Sequence, residues 1–122
     1  MEIKKIFIVG GGFMGSGIAQ TAITAGFEVV LNDMSMDILE RSMAGIDKML
    51  AKNVAKGKIT QEAKDAAMAN LHLSADLNAA AAADLVIEAV VENADVKKSV
   101  FSRLSNICRE DAILATNTSS IS

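Results

Sequence analysis

Apolar residues recur along this chain in two alternating rhythms. In a strand from Ile3 to Val9 they run unbroken over Ile6 to Val9, as buried strands do; from about Met14 to Ala25 they fall at Met14, Ile18, Ala22 and Ala25, the spacing of one helical face, before Gly26 ends the turn. A second strand spans Glu28 to Leu31, and a longer helix from about Met36 to Lys52 carries a stripe of Leu39, Met43, Ile46 and Leu50. Gly57 breaks that pattern. Thr60, with Ala63 one turn on, starts a further helix towards Asn70, and Leu71-His72-Leu73 reads as a short third strand. A short helix from Leu77 to Ala83 leads into Leu85 to Val91, a nearly continuous apolar run of the kind a central parallel strand needs. Val96, Val100, Leu104 and Ile107 then line another helix, and Ile113 to Thr116 forms the last strand. Strand and helix in strict alternation predict an α/β domain, a parallel sheet covered by helices.

The turn between the first strand and the first helix carries the chemistry. Gly10-Gly11-Gly12-Phe13-Met14-Gly15 follows the strand directly. Gly10 permits the tight turn, Gly12 lets backbone approach a pyrophosphate, and Gly15 allows the helix to pack closely on the sheet. The N–H groups around Phe13 and Met14 lie at the positive end of that helix and suit a diphosphate. The second strand ends in Asp33, placed to accept hydrogen bonds from both hydroxyls of an adenosine ribose. Met34-Ser35-Met36 supply no arginine for a 2'-phosphate, so NAD is preferred to NADP. Taken singly, such glycines occur in many turns and such an aspartate at many strand ends. In the order strand, glycines, helix, strand, acid they predict a Rossmann-type doubly wound sheet that binds a dinucleotide.

Composition narrows the remaining classes. The 122 residues suit one domain, 51% of them are apolar, and four phenylalanines are the only aromatics, so no Trp or Tyr is available to stack on bases. A net charge of −3 with scattered Lys and Arg argues against nucleic-acid and anionic-membrane partners. No signal-like or membrane-length apolar segment is present, and Cys108, the only cysteine, excludes an intrachain disulfide and fits a core thiol, so a cytoplasmic location is expected. No metal-binding spacing occurs. Glu88 within an apolar strand reads as a paired buried carboxylate, and His72, the only histidine, as a structural or surface imidazole.

Three more segments join the glycine loop and Asp33: Gly-Ile-Ala-Gln at 17 to 20, Glu88-Ala89-Val90-Val91-Glu92, and Asn117-Thr118-Ser119-Ser120. In this combination, in register over the whole chain, the sequence resembles the NAD-binding domain of 3-hydroxyacyl-CoA dehydrogenases, the bacterial 3-hydroxybutyryl-CoA dehydrogenases in particular. The resemblance implies an oxidoreductase of fatty-acid and butyrate metabolism, with NAD as cofactor and 3-hydroxyacyl-CoA or acetoacetyl-CoA as substrate. It assigns Gly10, Gly11, Gly12, Phe13, Met14 and Gly15 to the pyrophosphate and Asp33 to the adenosine ribose. Ala89 falls on the adenosine side, Glu92 and Lys97 beside the nicotinamide half, and Asn117 near nicotinamide and substrate. Ser119 is similar to the family's active-site serine, which hydrogen-bonds the substrate's 3-oxygen, and Lys56 to a lysine that contacts coenzyme A. On chemistry alone, Ser119 is equally a turn or N-cap residue, and Lys56, near Lys52 and Lys58, equally part of a solvated cluster.

Two departures shape the reading. The family's Ser-Asn-Thr-Ser-Ser begins here with Thr116, which keeps the hydroxyl. The family's catalytic histidine, in a His-Phe-Phe-Asn-Pro segment, and its helical substrate and dimerisation domain do not occur within these residues. The expectation is therefore an incomplete NAD-binding domain over 1–122, truncated after its fifth strand, inactive alone and prone to form homo-oligomers through its open sheet edge. A non-catalytic NAD-sensing module is the alternative. A short-chain dehydrogenase is a weaker alternative, since its Tyr-x-x-x-Lys pair does not occur among these residues, which hold no tyrosine.

Overall fold

A computed structural model describes residues 2–90 and 94–116. Its elements follow the order β1 (Lys5–Val9), α1 (Phe13–Thr24), β2 (Glu28–Asn32), α2 (Met36–Ala55), α3 (Gln61–Ala69) and β3 (Leu71–Ser74), then a 3₁₀ turn (Leu77–Ala82), β4 (Leu85–Glu88), α4 (Ala94–Ile107) and β5 (Ile113–Thr116). All five strands pair in parallel in the order β3-β2-β1-β4-β5. That is the Rossmann arrangement, in which the chain reverses direction across the sheet between β1 and β4 and leaves a crevice at their carboxyl ends.

The alternation of side chains along β1 explains why the strand is apolar from Ile6 to Val9. Ile6 and Ile8 enter a cluster with α1, α2 and α3, including Ile23, Leu39, Ile46 and Leu50. Phe7 and Val9 point to the opposite face and meet Leu77, Ala80, Val86 and Leu104. Both faces are covered, so no polar position is tolerated. The α2 stripe behaves as the spacing predicts, with Leu39, Ile46 and Leu50 buried and Met43 packed against them. Ser35 and Thr60 cap α2 and α3 by accepting the N–H groups of Ile38 and Ala63.

Helix α1 presents a different face from the expected one. Gly15, Ala19, Ala22 and Ile23 are buried, Met14 and Ile18 are only half-buried, and Ala25 is exposed. Small residues win because the helix approaches β1 so closely. A Cβ at Gly15 would lie 1.7 Å from the carbonyl oxygen of Gly10. In α4 the expected stripe holds except at its first position. Leu104 is buried and Val100 and Ile107 pack on the core, but Val96 is exposed while Lys97 is buried. Cys108 packs against the second cluster, and burial pushes its thiol up, as suits a core residue.

Strand boundaries shift where side chains take over from the ladder. Ile3 and Lys4 lie outside β1. The N–H groups of Lys4 and Lys5 both donate to one oxygen of Asp84 at 2.9 Å, while the Arg109 guanidinium donates to the other at 2.9 Å. Asp84 thus ties the starts of β1 and β4 to the segment between α4 and β5. At the other end, β4 stops at Glu88 and does not extend through Ala89 and Val90, because the Val90 N–H donates to the Glu88 carboxylate.

Two measurements test these packing claims. The Asp84 carboxyl is held at about 2, against an ordinary 3.8, first by the Lys4 and Lys5 N–H groups and then by Arg109. A value lowered on folding gives a stabilisation that is complete above pH 3.8 and is lost as pH falls through 2. The stability gap between wild type and Asp84→Asn, followed by urea unfolding, is therefore expected to close over that window. Gly15→Ala is expected to cost about 3 kcal/mol or to prevent folding, since the contact is backbone and cannot turn aside; thermal melting reads this directly.

Candidate functional site

The crevice is floored by the loop from Gly10 to Gly12. Gly10 takes φ +111°, and a Cβ there would meet the Ala89 carbonyl oxygen at 2.9 Å, so glycine is required twice over. Its N–H donates to the Asn32 carbonyl at 2.8 Å, which joins the loop to the end of β2. Ser42 of α2 donates its hydroxyl to the Gly11 carbonyl and secures the loop from the helix side. Gly12 differs from its neighbours: a Cβ at this position meets nothing within 4 Å. It borders open space, as a backbone reserved for a ligand does.

Gly12 is also the N-cap of α1, and no side chain caps that end. The first turn contains no acidic residue, so the positive end of the helix dipole faces the opening uncompensated. An anion placed there meets the helix N-terminus and no carboxylate from the first turn of α1 itself.

Asp33 lies just past β2, where its carboxylate is fixed by backbone. One oxygen accepts the Gly11 N–H at 3.0 Å and the other accepts the Ser35 N–H at 3.1 Å. Each carboxylate oxygen has a further acceptor direction left, so the group is held in place and still able to receive two hydroxyl donors. Met34 beside it is 94% exposed, and Phe13 at the loop is 98% exposed. A large apolar groove between α1 and α2 opens next to this loop, bordered by Gly12, Phe13, Gly17, Thr21 and Met49.

On the other side of β1, Ala89 packs beneath the loop, its N–H donating to the Val9 carbonyl at 2.8 Å. Lys97 is drawn inward to Glu88, with Nζ at 3.0 and 3.3 Å from the two carboxylate oxygens. Glu88 is the paired buried carboxylate that its place in an apolar strand predicts. The burial of Lys97 and the anchoring role of Ser42 escape the sequence pattern. A charged residue in a buried strand is the one signal that demands a cationic partner nearby; nothing local marks Ser42.

Lys56 is exposed and follows the last residue of α2, a helix about 30 Å long that begins beside Asp33, so it lies far from the glycine loop. His72 is on β3, half-exposed, with Nε2 3.7 Å from a Glu28 oxygen and no relation to the loop. Glu92, Asn117 and Ser119 lie outside the described residues. Among the described residues no group of three or more His, Cys, Asp or Glu side chains is placed to hold a metal ion, and no helix is long and apolar enough to cross a membrane.

Comparison with known proteins agrees with this geometry. The family model described as "3-hydroxyacyl-CoA dehydrogenase, NAD binding domain" matches residues 5–122. A 3-hydroxybutyryl-CoA dehydrogenase of Bradyrhizobium diazoefficiens is 46% identical over 120 residues, which cover 98% of this chain and 41% of the relative. The mitochondrial hydroxyacyl-coenzyme A dehydrogenase of Rattus norvegicus is 42% identical over 126 residues, covering 98% and 40%. A crystal structure of 3-hydroxybutyryl-CoA dehydrogenase from Escherichia coli K12 superposes with a TM-score of 0.95 at 39% identity, covering 98% of this chain and 25% of that one. The chain thus spans about two fifths or less of the length of these relatives. With the glycine loop, Asp33 and the strand order in place, the chain belongs to the NAD-binding domain family of the 3-hydroxyacyl-CoA dehydrogenases.

Proposed function

We propose that this domain serves a dehydrogenase that transfers hydride reversibly between C3 of a 3-hydroxyacyl-CoA, 3-hydroxybutyryl-CoA foremost, and NAD. The observation that carries the reading is one cluster: an uncapped helix N-terminus, open space over Gly12 and a fixed acceptor at Asp33. NAD supplies the redox chemistry, and the residues of this chain bind and orient it. Gly10 to Gly15 receive the pyrophosphate, Asp33 the adenosine ribose, and Ala89 lines the crevice between. Lys97, Glu92 and Asn117 serve the nicotinamide side, Ser119 orients the substrate oxygen, and Lys56 meets coenzyme A. Residues 1–122 form the cofactor-binding portion, and a helical domain supplies the proton-transferring histidine and the subunit contacts of a homo-oligomer in the cytoplasm. The relatives named above are dehydrogenases, which lends no support to a purely sensing module.

Calorimetry with both cofactors tests the Asp33 assignment. NAD is expected to bind at least about tenfold more tightly than NADP, the value of a charge-assisted hydrogen bond, and Asp33→Arg to reverse the order. Equal affinities for the wild type would remove Asp33 from the site. Gly12→Val tests the loop from another direction. Its side chain enters empty space, so circular dichroism and melting temperature are expected to match wild type while dinucleotide binding disappears; normal binding would make the loop structural only.

A further inference from the structure

Asp33 holds one wall of the crevice, and the opposite wall depends on a single buried carboxylate. Glu88 is fully buried at the end of β4 and receives donors from three separate elements. The Val90 N–H donates to Oε2 at 2.6 Å, the Thr116 hydroxyl at the end of β5 to Oε1 at 2.5 Å, and the Lys97 ammonium of α4 to both oxygens. Val90 and Thr116 are the residues from which the segments carrying Glu92 and Asn117 depart. One carboxylate therefore fixes Val90, Thr116 and the Lys97 ammonium relative to one another.

Packing alone does not call for this group. The rest of β4 is Leu85, Val86 and Ile87, and a buried ion pair is often no better for stability than apolar residues of the same volume. The pair stands at the carboxyl end of β4, where ligands bind in such sheets, and on the far side of β1 from Asp33. Of the Thr116 side chain, this contact uses the hydroxyl.

We propose that Glu88 is a positioning residue for the nicotinamide-side half of the dinucleotide site. Acting through Lys97, Val90 and Thr116, it fixes the wall of the crevice on the β4–β5 side and leaves the adenosine side to Asp33. The proposal rests on the NAD-binding reading above.

The test compares NAD with AMP, which carries only the adenosine half, by calorimetry on the 122-residue chain and its variants, with a melting curve for each. Glu88→Gln keeps the volume and removes the charge. It is expected to weaken NAD about tenfold and leave AMP unchanged. Thr116→Val is expected to move in the same direction and Thr116→Ser to retain wild-type affinity; this pair decides the matter if Glu88→Gln does not fold. Equal losses for NAD and AMP would make Glu88 a stability residue only, and an unchanged NAD affinity in the folded Glu88→Gln and Thr116→Val proteins would also overturn the proposal. A folded wild type that binds neither ligand would instead bring down the NAD-binding reading itself, a result distinct from either.

Discussion

Everything at the crevice depends on how closely α1 approaches the end of β1. The Gly10 carbonyl occupies the space in which any side chain at position 15 would begin, and this contact brings the helix N-terminus over the strand end. If α1 stood farther away, its dipole would no longer point at the opening, Gly10 would lose its place against Ala89, and Gly11 its bond to Asp33. The small buried face of α1 and the positive φ at Gly10 are two accommodations to one close packing.

Around that contact the two walls are built by opposite means. Asp33 is held by two backbone N–H groups and stays half-exposed, with acceptor capacity to spare. Glu88 is buried, and its acceptors are spent on Val90, Thr116 and Lys97. One carboxylate keeps acceptor directions open, whereas the other uses its own to hold neighbouring groups of the chain together. Their separation by β1 keeps two acids of the same charge on different sides of the sheet's centre.

Most of the fold was legible in the sequence because periodicity is local. The order of the elements, the α2 stripe and the glycine loop with its aspartate all follow from residues a few positions apart. The errors share a cause in contacts between distant segments. The face of α1 is drawn too far towards Met14 and Ile18 by periodicity because Ala19 carries little hydrophobic signal, although Gly15 itself announces the close approach to β1. The inward turn of Lys97 depends on Glu88, and the early end of β4 on the same carboxylate. The clamp at Asp84 joins residues some eighty positions apart, beyond the reach of any local pattern. Of the candidate site, the loop, Asp33, Ala89 and Lys97 converge on the crevice, and Lys56 stands apart at the far end of α2.

The placement of β1 also governs where the molecule opens. It is paired on both sides and buried on both faces, whereas β3 and β5 are the outer strands of the described sheet. Amide exchange in such a sheet is slowest at its centre and fastest at its margins, because marginal strands detach without global unfolding. The glycine loop grows from that central strand, so its end of the crevice is held rigid before any ligand arrives.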